Sequence, residues 1–250
     1  RDGRAVDRPN IEAKQVNLAA RGGDIGLADD DLDIDTGTAG AFTGQLFAEA
    51  TGSIYITESN NELNVLSVSS ATGDVRLTVP DTSLTPILPL GEPGLTVVPG
   101  EDLYLLAGGQ KLVDEGGLAS VNAGNIYAAL AINLWVGDNV ATRANSTVQA
   151  GTTATVRGDN RRLRVAGVDL PEATNADPDF GTTMDLRGSF DAGVADRAIK
   201  FHGHADADHL VFNQTSLRAD TAAYGSQNAS ALLAHDGEDH FEVNRLQSMD

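Results

Sequence analysis

The 250-residue chain has no cysteine, only 5% aromatic residues, and 17 Lys and Arg against 36 Asp and Glu, which gives a formal net charge of −19. Without cysteine, a disulfide scaffold, an iron–sulfur centre and any zinc site with cysteine ligands are excluded. Because so acidic a chain repels phosphate and anionic lipid, we expect neither nucleic acid nor a membrane surface as a partner. No apolar run reaches the roughly 18 residues of a membrane-spanning helix, so we expect no membrane insertion.

Glycine is abundant, with 27 residues, and apolar residues make up 41% of the chain, enough for a core. The length suits one large domain or two small ones. The chain starts at Arg1 without Met or a leader, so we expect it to be a piece of a longer protein. The Asp-heavy acidity fits an extracellular, calcium-rich or saline setting as well as ordinary solubility charge.

A short pattern recurs along the chain: Gly, a small polar residue, Ile or Val, any residue, and usually an aliphatic residue. Its copies are Gly23–Leu27, Gly52–Ile56, Gly73–Leu77 and Gly124–Ala128, of which the first three are 29 and then 21 residues apart. A weaker copy lies at Asp102–Leu105. A second pattern, Leu followed two positions later by Ile or Val, occurs at Leu32–Ile34, Leu63–Val65 and Leu163–Val165.

Each repeat unit alternates apolar and polar residues over four to six positions and is bounded by turn residues, which predicts a short strand. Even the best helical candidate, Ala119–Leu134, is interrupted by Gly124 and Asn125 and fits strands better. Many short strands at a 20–30-residue repeat predict an all-β chain folded as a β-solenoid, with a β-sandwich as the alternative. Residues 1–170 would form solenoid repeats with a Pro-rich insertion at 84–99, and residues 171–250 further coils with acidic, His-containing turns.

The repeats at Ile11–Gly26, Gly52–Glu58, Leu63–Val68 and Gly73–Thr78 resemble those of filamentous-haemagglutinin-like adhesins and related giant exported bacterial surface proteins. The resemblance covers residues 11–136 and, more loosely, 147–170. It implies a right-handed parallel β-helix, secretion to the cell surface or medium, and a role in adhesion or matrix building. The Pro-rich insertion at 84–99 departs from the family pattern, because it interrupts the repeat.

All five histidines fall in the last 49 residues, where two segments that begin at His204 and His235 align at an offset of 31. Each combines an acidic turn with a short strand, and the pattern loosely resembles the acidic coils of calcium-binding exported repeats. Because calcium prefers oxygen ligands, stacked turns could bind it through carboxylates, with solvated surface turns as the alternative. The candidate ligands are Asp206, Asp208, Asp236, Glu238 and Asp239. A transition-metal site at His202, His204 and Asp206 is a weaker hypothesis.

The densest acidic run predicts a second calcium contact. Asp31, Asp33 and Asp35 would share one face of a strand, with Leu32 and Ile34 on the other. Three like charges on one face repel each other unless a cation neutralises them. A simple solvated face is the alternative.

The sequence is compatible with three functions. The first is a non-catalytic structural or adhesive segment of a large secreted protein, which would contact other repeats of its parent chain and cell-surface or matrix components. The second is a β-helix polysaccharide lyase or hydrolase, although aromatic residues for sugar stacking are scarce and Trp135 is expected in the core. The third is a calcium-dependent binding module at 185–250 on an inert spacer.

Overall fold

The computed structural model describes residues 9–37, 44–59, 62–79, 95–97, 104–106, 121–137, 139–158, 164–165, 168–169, 182–203, 208–224 and 240–247. Every regular element within these ranges is a β-strand, which confirms the all-β class for this part of the chain. The same residues accordingly contain no helix of the length and apolarity needed to cross a membrane. Most of the predicted insertion at 84–99 lies outside the described residues.

Eight strands, numbered along the chain, form the first sheet. In spatial order they are β1 (Ile11–Glu12), β3 (Leu32–Asp35), β5 (Ile54–Glu58), β7 (Val75–Val79), β11 (Ile132–Val136), β14 (Ala154–Arg157), β18 (Ile199–His202) and β20 (Thr221–Tyr224).

The second sheet contains nine strands, of which β12 and β13 belong to the same coil. In spatial order they are β2 (Gln15–Ala20), β4 (Gln45–Ala50), β6 (Leu63–Ser70), β10 (Val121–Ala128), β12 (Val140–Thr142) with β13 (Thr147–Ala150), β17 (Thr183–Asp191), β19 (His209–Arg218) and β21 (His240–Gln247).

The chain alternates between the two sheets, and neighbouring strands within each sheet are parallel. Val75 pairs with Ile54, and Ile54 with Ile25, as the repeat spacings of 21 and 29 residues predict. His209 pairs with His240 at the predicted offset of 31. Parallel pairing and alternation give eight stacked coils in the described part of the chain, the arrangement of a β-solenoid. They do not fit the antiparallel β-sandwich alternative.

The core lies between the two sheets because inward-facing residues alternate with outward-facing ones along the strands. In β11, for example, Ile132, Leu134 and Val136 are completely buried. Toward the C-terminal end the core becomes aromatic. The ring centroids of Phe190 and Phe201 lie 5.1 Å apart, and those of Phe201 and Phe212 5.6 Å apart, both edge to face.

One edge of the stack, here called the tight edge, is where second-sheet strands lead into first-sheet strands. Apart from residues 21–31, its connections have at most seven residues. Their backbones hydrogen-bond from coil to coil. Thr51 N–H donates to Ala20 O at 2.9 Å, and Ala71 N–H to Ala50 O at 3.0 Å. The glycine of the repeat permits this approach, since a Cβ on Gly73 would lie 2.7 Å from the backbone N of Ser53.

The opposite edge, here called the insertion edge, carries the chain from the first sheet to the second. It contains the three longest connections, which are residues 80–120, 158–182 and 225–239. Two antiparallel pairs fall within them. They are β8 (Leu95–Val97) with β9 (Tyr104–Leu106), and β15 (Arg164–Val165) with β16 (Val168–Asp169). The three longest connections therefore all lie at one edge, and the two sheets continue across each of them.

One of the repeat assignments is wrong. Gly124–Ala128 does not continue the series of Gly73, because Ile126 pairs with Val68 in the second sheet while Ile132 pairs with Val75. Gly124 instead meets a neighbouring backbone, since a Cβ there would lie 2.5 Å from Leu66 O.

The second pattern also does not form a single ladder. Leu32 lies in β3 of the first sheet and Leu63 in β6 of the second. Leu163 is outside the described residues, and the strand that follows it pairs antiparallel within a connection. The weak copy at Asp102–Leu105 overlaps β9, which is likewise outside the two sheets.

Candidate functional sites on the outer faces of the sheets

Asp31, in the acidic run, forms an ion pair with a positively charged side chain of the protein. The Arg76 guanidinium forms an ion pair with Asp31 Oδ1 and donates to Ala28 O at 2.9 Å. Thr57 Oγ1 donates to the other carboxylate oxygen of Asp31 at 3.0 Å. Asp31 is therefore neutralised by Arg76, whose side chain is only 17% exposed, and the calcium contact expected at this run stays a prediction.

Aromatic rings enclose the same guanidinium. Arg76 Cζ lies 4.7 Å from the centroid of Tyr55 and 5.2 Å from that of Trp135. The prediction that Trp135 lies in the core is therefore wrong. It is half-buried on the outer face of the first sheet, because the buried positions of β11 alternate and Trp135 falls between two of them.

Asp33 and Asp35 lie in β3 on either side of the buried Ile34, as the alternation predicted. Asp35 Oδ1 accepts the Gly37 N–H at 3.2 Å. Not every acid is on the surface, however. Glu58 is completely buried, and its carboxylate accepts the Thr36 N–H at 3.2 Å and the Thr36 hydroxyl at 2.8 Å.

Among the C-terminal calcium candidates, Asp208 is the one that the structure describes. It is only 1% exposed, and its Oδ1 accepts the Thr182 N–H at 2.9 Å. Asp208 therefore lies inside the stack and fixes the start of β17 beside β19, rather than facing solvent in a turn. The other four candidates lie outside the described residues. They are Asp206, Asp236, Glu238 and Asp239.

The weaker transition-metal hypothesis is described only at His202. Its ring is buried and stacks on Tyr224, with centroids 4.9 Å apart and planes 12° from parallel. His204 and Asp206 lie outside the described residues.

A different group of metal-binding side chains comes together at the C-terminal end of the second sheet. His209 Nε2 lies 3.4 Å from Glu242 Oε2, and the rings of His209 and His240 have centroids 4.9 Å apart. One ligand atom from each of the three residues lies within 4.8 Å of the others. We call these residues the His–His–Glu cluster.

The surroundings of this cluster include a second carboxylate on the same face. Asp185 pairs with Val211 on the next strand, and Val211 pairs with Glu242 on the strand after that, so the two acids are two coils apart. Arg187 binds Asp185 with its Nε at 3.0 Å and its Nη2 at 2.7 Å. This hydrogen bonding raises the pKa of Arg187. The carboxylate of Asp185 is thus already bound by a residue of its own strand.

The sequence contained a signal for the His–His–Glu cluster that the acidic-turn interpretation did not use. The 31-residue offset places His209 beside His240, and Glu242 follows two positions later on the same strand face. The carboxylates suggested for calcium precede the strands in the sequence, whereas His209, His240 and Glu242 lie on the strands themselves.

The chain was also compared with known proteins. No protein-family model, curated protein or solved structure matches it.

Proposed function

We propose that this chain is a non-catalytic structural and adhesive segment of a large secreted or cell-surface bacterial protein. The observation that carries the proposal is the uninterrupted pair of parallel sheets, whose strands stay paired across all three long connections. Such a stack acts as a spacer because each coil contacts only its neighbours, so length can be added coil by coil. Further repeats of the parent chain and cell-surface or matrix components are its proposed partners.

The insertion edge supports the adhesive part of the proposal. In repeat proteins, insertions map to loops on one face, which is often the binding face. Here the connections at 80–120, 158–182 and 225–239 all leave the stack at the same edge. A partner could therefore bind several loops along one side without disturbing the core.

We also propose that the coil is right-handed. Support comes from the general preference of parallel β-crossover connections, about 98% of which are right-handed.

Bead adhesion tests the proposed function. Fluorescent beads coated with the purified chain should adhere to bacterial cell layers or extracted matrix more than beads coated with an unrelated protein of similar negative charge. A variant with residues 81–120 replaced by a short Gly-Asn linker should keep its β-sheet circular dichroism spectrum and lose much of the adhesion. Adhesion no greater than that of the acidic control protein would contradict the proposal.

An activity assay tests its non-catalytic part. The chain should release neither reducing ends nor unsaturated products from acidic polysaccharides. Clear turnover would favour the lyase or hydrolase alternative instead.

Calcium remains a proposal for the acidic turns of the C-terminal coils. A ligand that binds only the folded state must stabilise it. The melting temperature of chelator-treated protein should therefore rise in millimolar calcium. An unchanged melting temperature would contradict calcium binding.

A further inference from the structure

We propose that His209, His240 and Glu242 form a binding site for a divalent transition metal ion of the zinc type. The site would lie on the outer face of the second sheet, at its C-terminal end. It uses none of the acidic residues that the sequence suggests for calcium.

Strand register brings the three side chains together. His209 in β19 pairs with His240 in β21, and Val211 pairs with Glu242. Residues two positions apart on a strand point to the same side, so His240 and Glu242 share a face. That face points outward, because Leu210 and Phe212, which flank Val211, are buried in the core.

The distances suit a metal with short bonds. Zinc binds His nitrogen and carboxylate oxygen at about 2.0–2.2 Å, which places neighbouring ligand atoms of a tetrahedral site about 3.4 Å apart. His209 Nε2 and Glu242 Oε2 are separated by 3.4 Å. The third ligand atom, from His240, is within 4.8 Å of both, and metal binding would require this exposed side chain to turn toward them.

A surface ion pair does not account for the whole arrangement. His209 Nε2 is shielded from solvent and makes no hydrogen bond, although Glu242 Oε2 is close. An ion pair would also leave the position of His240, edge to face with His209, without a role. A metal ion would satisfy the shielded nitrogen and use all three side chains.

The ligand set selects the metal. Two imidazoles with one carboxylate suit zinc and its neighbours in the first transition row, whereas calcium takes six to eight oxygen ligands. Although Nε2 of His209 is shielded in the metal-free arrangement, the side chains of His209 and Glu242 are about 40% exposed, and water would complete the coordination from the exposed side. Asp185 does not add a fourth protein ligand, because Arg187 binds it.

Binding would fasten β21 to the stack. Its residues Phe241 and Val243 pair with buried positions of β19 but are 45% and 58% exposed. Among the described strands, β21 has a neighbour on one side only. A metal shared by β19 and β21 would add a side-chain link to that single line of backbone hydrogen bonds.

Calorimetric titration of ZnCl₂ into tag-free, chelator-treated protein tests the site. We expect one zinc ion per chain, and cobalt in its place should show the visible absorption of a low-coordinate site. His209→Ala and His240→Ala should each weaken binding at least about tenfold, and Glu242→Gln by about tenfold. Zinc should also slow amide exchange in residues 240–247 of the native protein and not in the variants.

Two controls keep the result specific. Glu49→Gln removes a carboxylate from the exposed face of the same sheet and should leave zinc affinity unchanged. The double variant His204→Ala/His235→Ala removes the remaining histidines outside the described residues and should also bind normally. The proposal is overturned if the native chain binds neither metal, if His209→Ala binds as tightly as the native chain, or if the double variant loses binding.

Discussion

At the scale of single residues, Arg76 joins distant parts of the chain. It touches Tyr55 one coil before it and Trp135 one coil after it, and it neutralises Asp31. Cation–π contacts of a desolvated guanidinium contribute about 2 kcal/mol, and Lys lacks the planar, weakly hydrated guanidinium. Arg76 thus connects neighbouring coils on the outer face of the first sheet.

Replacing Arg76 with Ala should lower the free energy of unfolding by about 2 kcal/mol, because both cation–π contacts and the partner of Asp31 are lost. Arg76→Lys should recover less than half of that loss. The measurement is the urea midpoint with its slope. Arg218→Ala, at an exposed position of β19, is the matched control and should change stability by less than about 0.5 kcal/mol. Equal effects at both positions would contradict this account.

A backbone constraint acts at Gly188. Its φ is +73°, and a Cβ there would lie 2.3 Å from Ser146 O. Here β17 passes the break between β12 and β13, and its register with β19 shifts between Leu186 and Gly188.

Gly188→Ala should destabilise the protein by about 2 kcal/mol or more, since it adds both strain and a clash. Gly22→Ala is the control, because nothing lies within 4 Å of a Cβ at that position and its φ is not positive. Thermal unfolding of both variants measures the difference. Equal melting temperatures for the two variants would show that β17 tolerates a side chain at position 188, where its register shifts.

At the scale of elements, the aromatic cluster connects the two sheets. Phe190 and Phe212 belong to β17 and β19 of the second sheet, and Phe201 to β18 of the first. The central ring, Phe201, contacts both of the others and is completely buried. It therefore joins opposite walls of the core in a way that smaller core residues do not.

Phe201→Ala should cost about 3–5 kcal/mol, because it leaves a cavity between the sheets. Phe201→Leu should cost less, since it keeps most of the volume. Phe47→Ala, at an exposed position of β4, is expected to be near neutral. Denaturant unfolding of the three variants gives the ranking, and a near-neutral Phe201→Ala would contradict the packing described for this end of the core.

At the scale of the whole molecule, the two edges of the stack differ in what they tolerate. Five Gly and Ser residues inserted within 80–120 should barely change the melting temperature, because lengthening an already long connection costs little entropy. The same insertion between Gly52 and Ser53 should cost several kcal/mol. It separates two N–H groups that donate across to Gly23 O at 2.9 Å and Asp24 Oδ1 at 2.6 Å. Similar melting temperatures for both insertions would contradict this asymmetry.

Strand content and the coil offsets could be predicted from the sequence because alternation and turn glycines are local signals. Assignment of strands to sheets could not, since both sheets use the same alternation, as Leu32 and Leu63 illustrate. The Arg76–Asp31 pair depends on contacts between coils, not on a motif. For the His–His–Glu cluster the offset was visible, but the 3.4 Å approach required the register of β19 and β21.

The placement of the aromatic core side chains near one end of the stack has a consequence for the order of the coils. Strand β4 places Leu46, Ala48 and Ala50 inside, whereas β17 and β19 also place Phe190 and Phe212 there. A coil moved from one end to the other would press rings against a filled core or leave empty volume behind it. The coils are therefore similar in backbone path but not exchangeable. Reordering or duplicating them would require matching core side chains in the neighbouring coils.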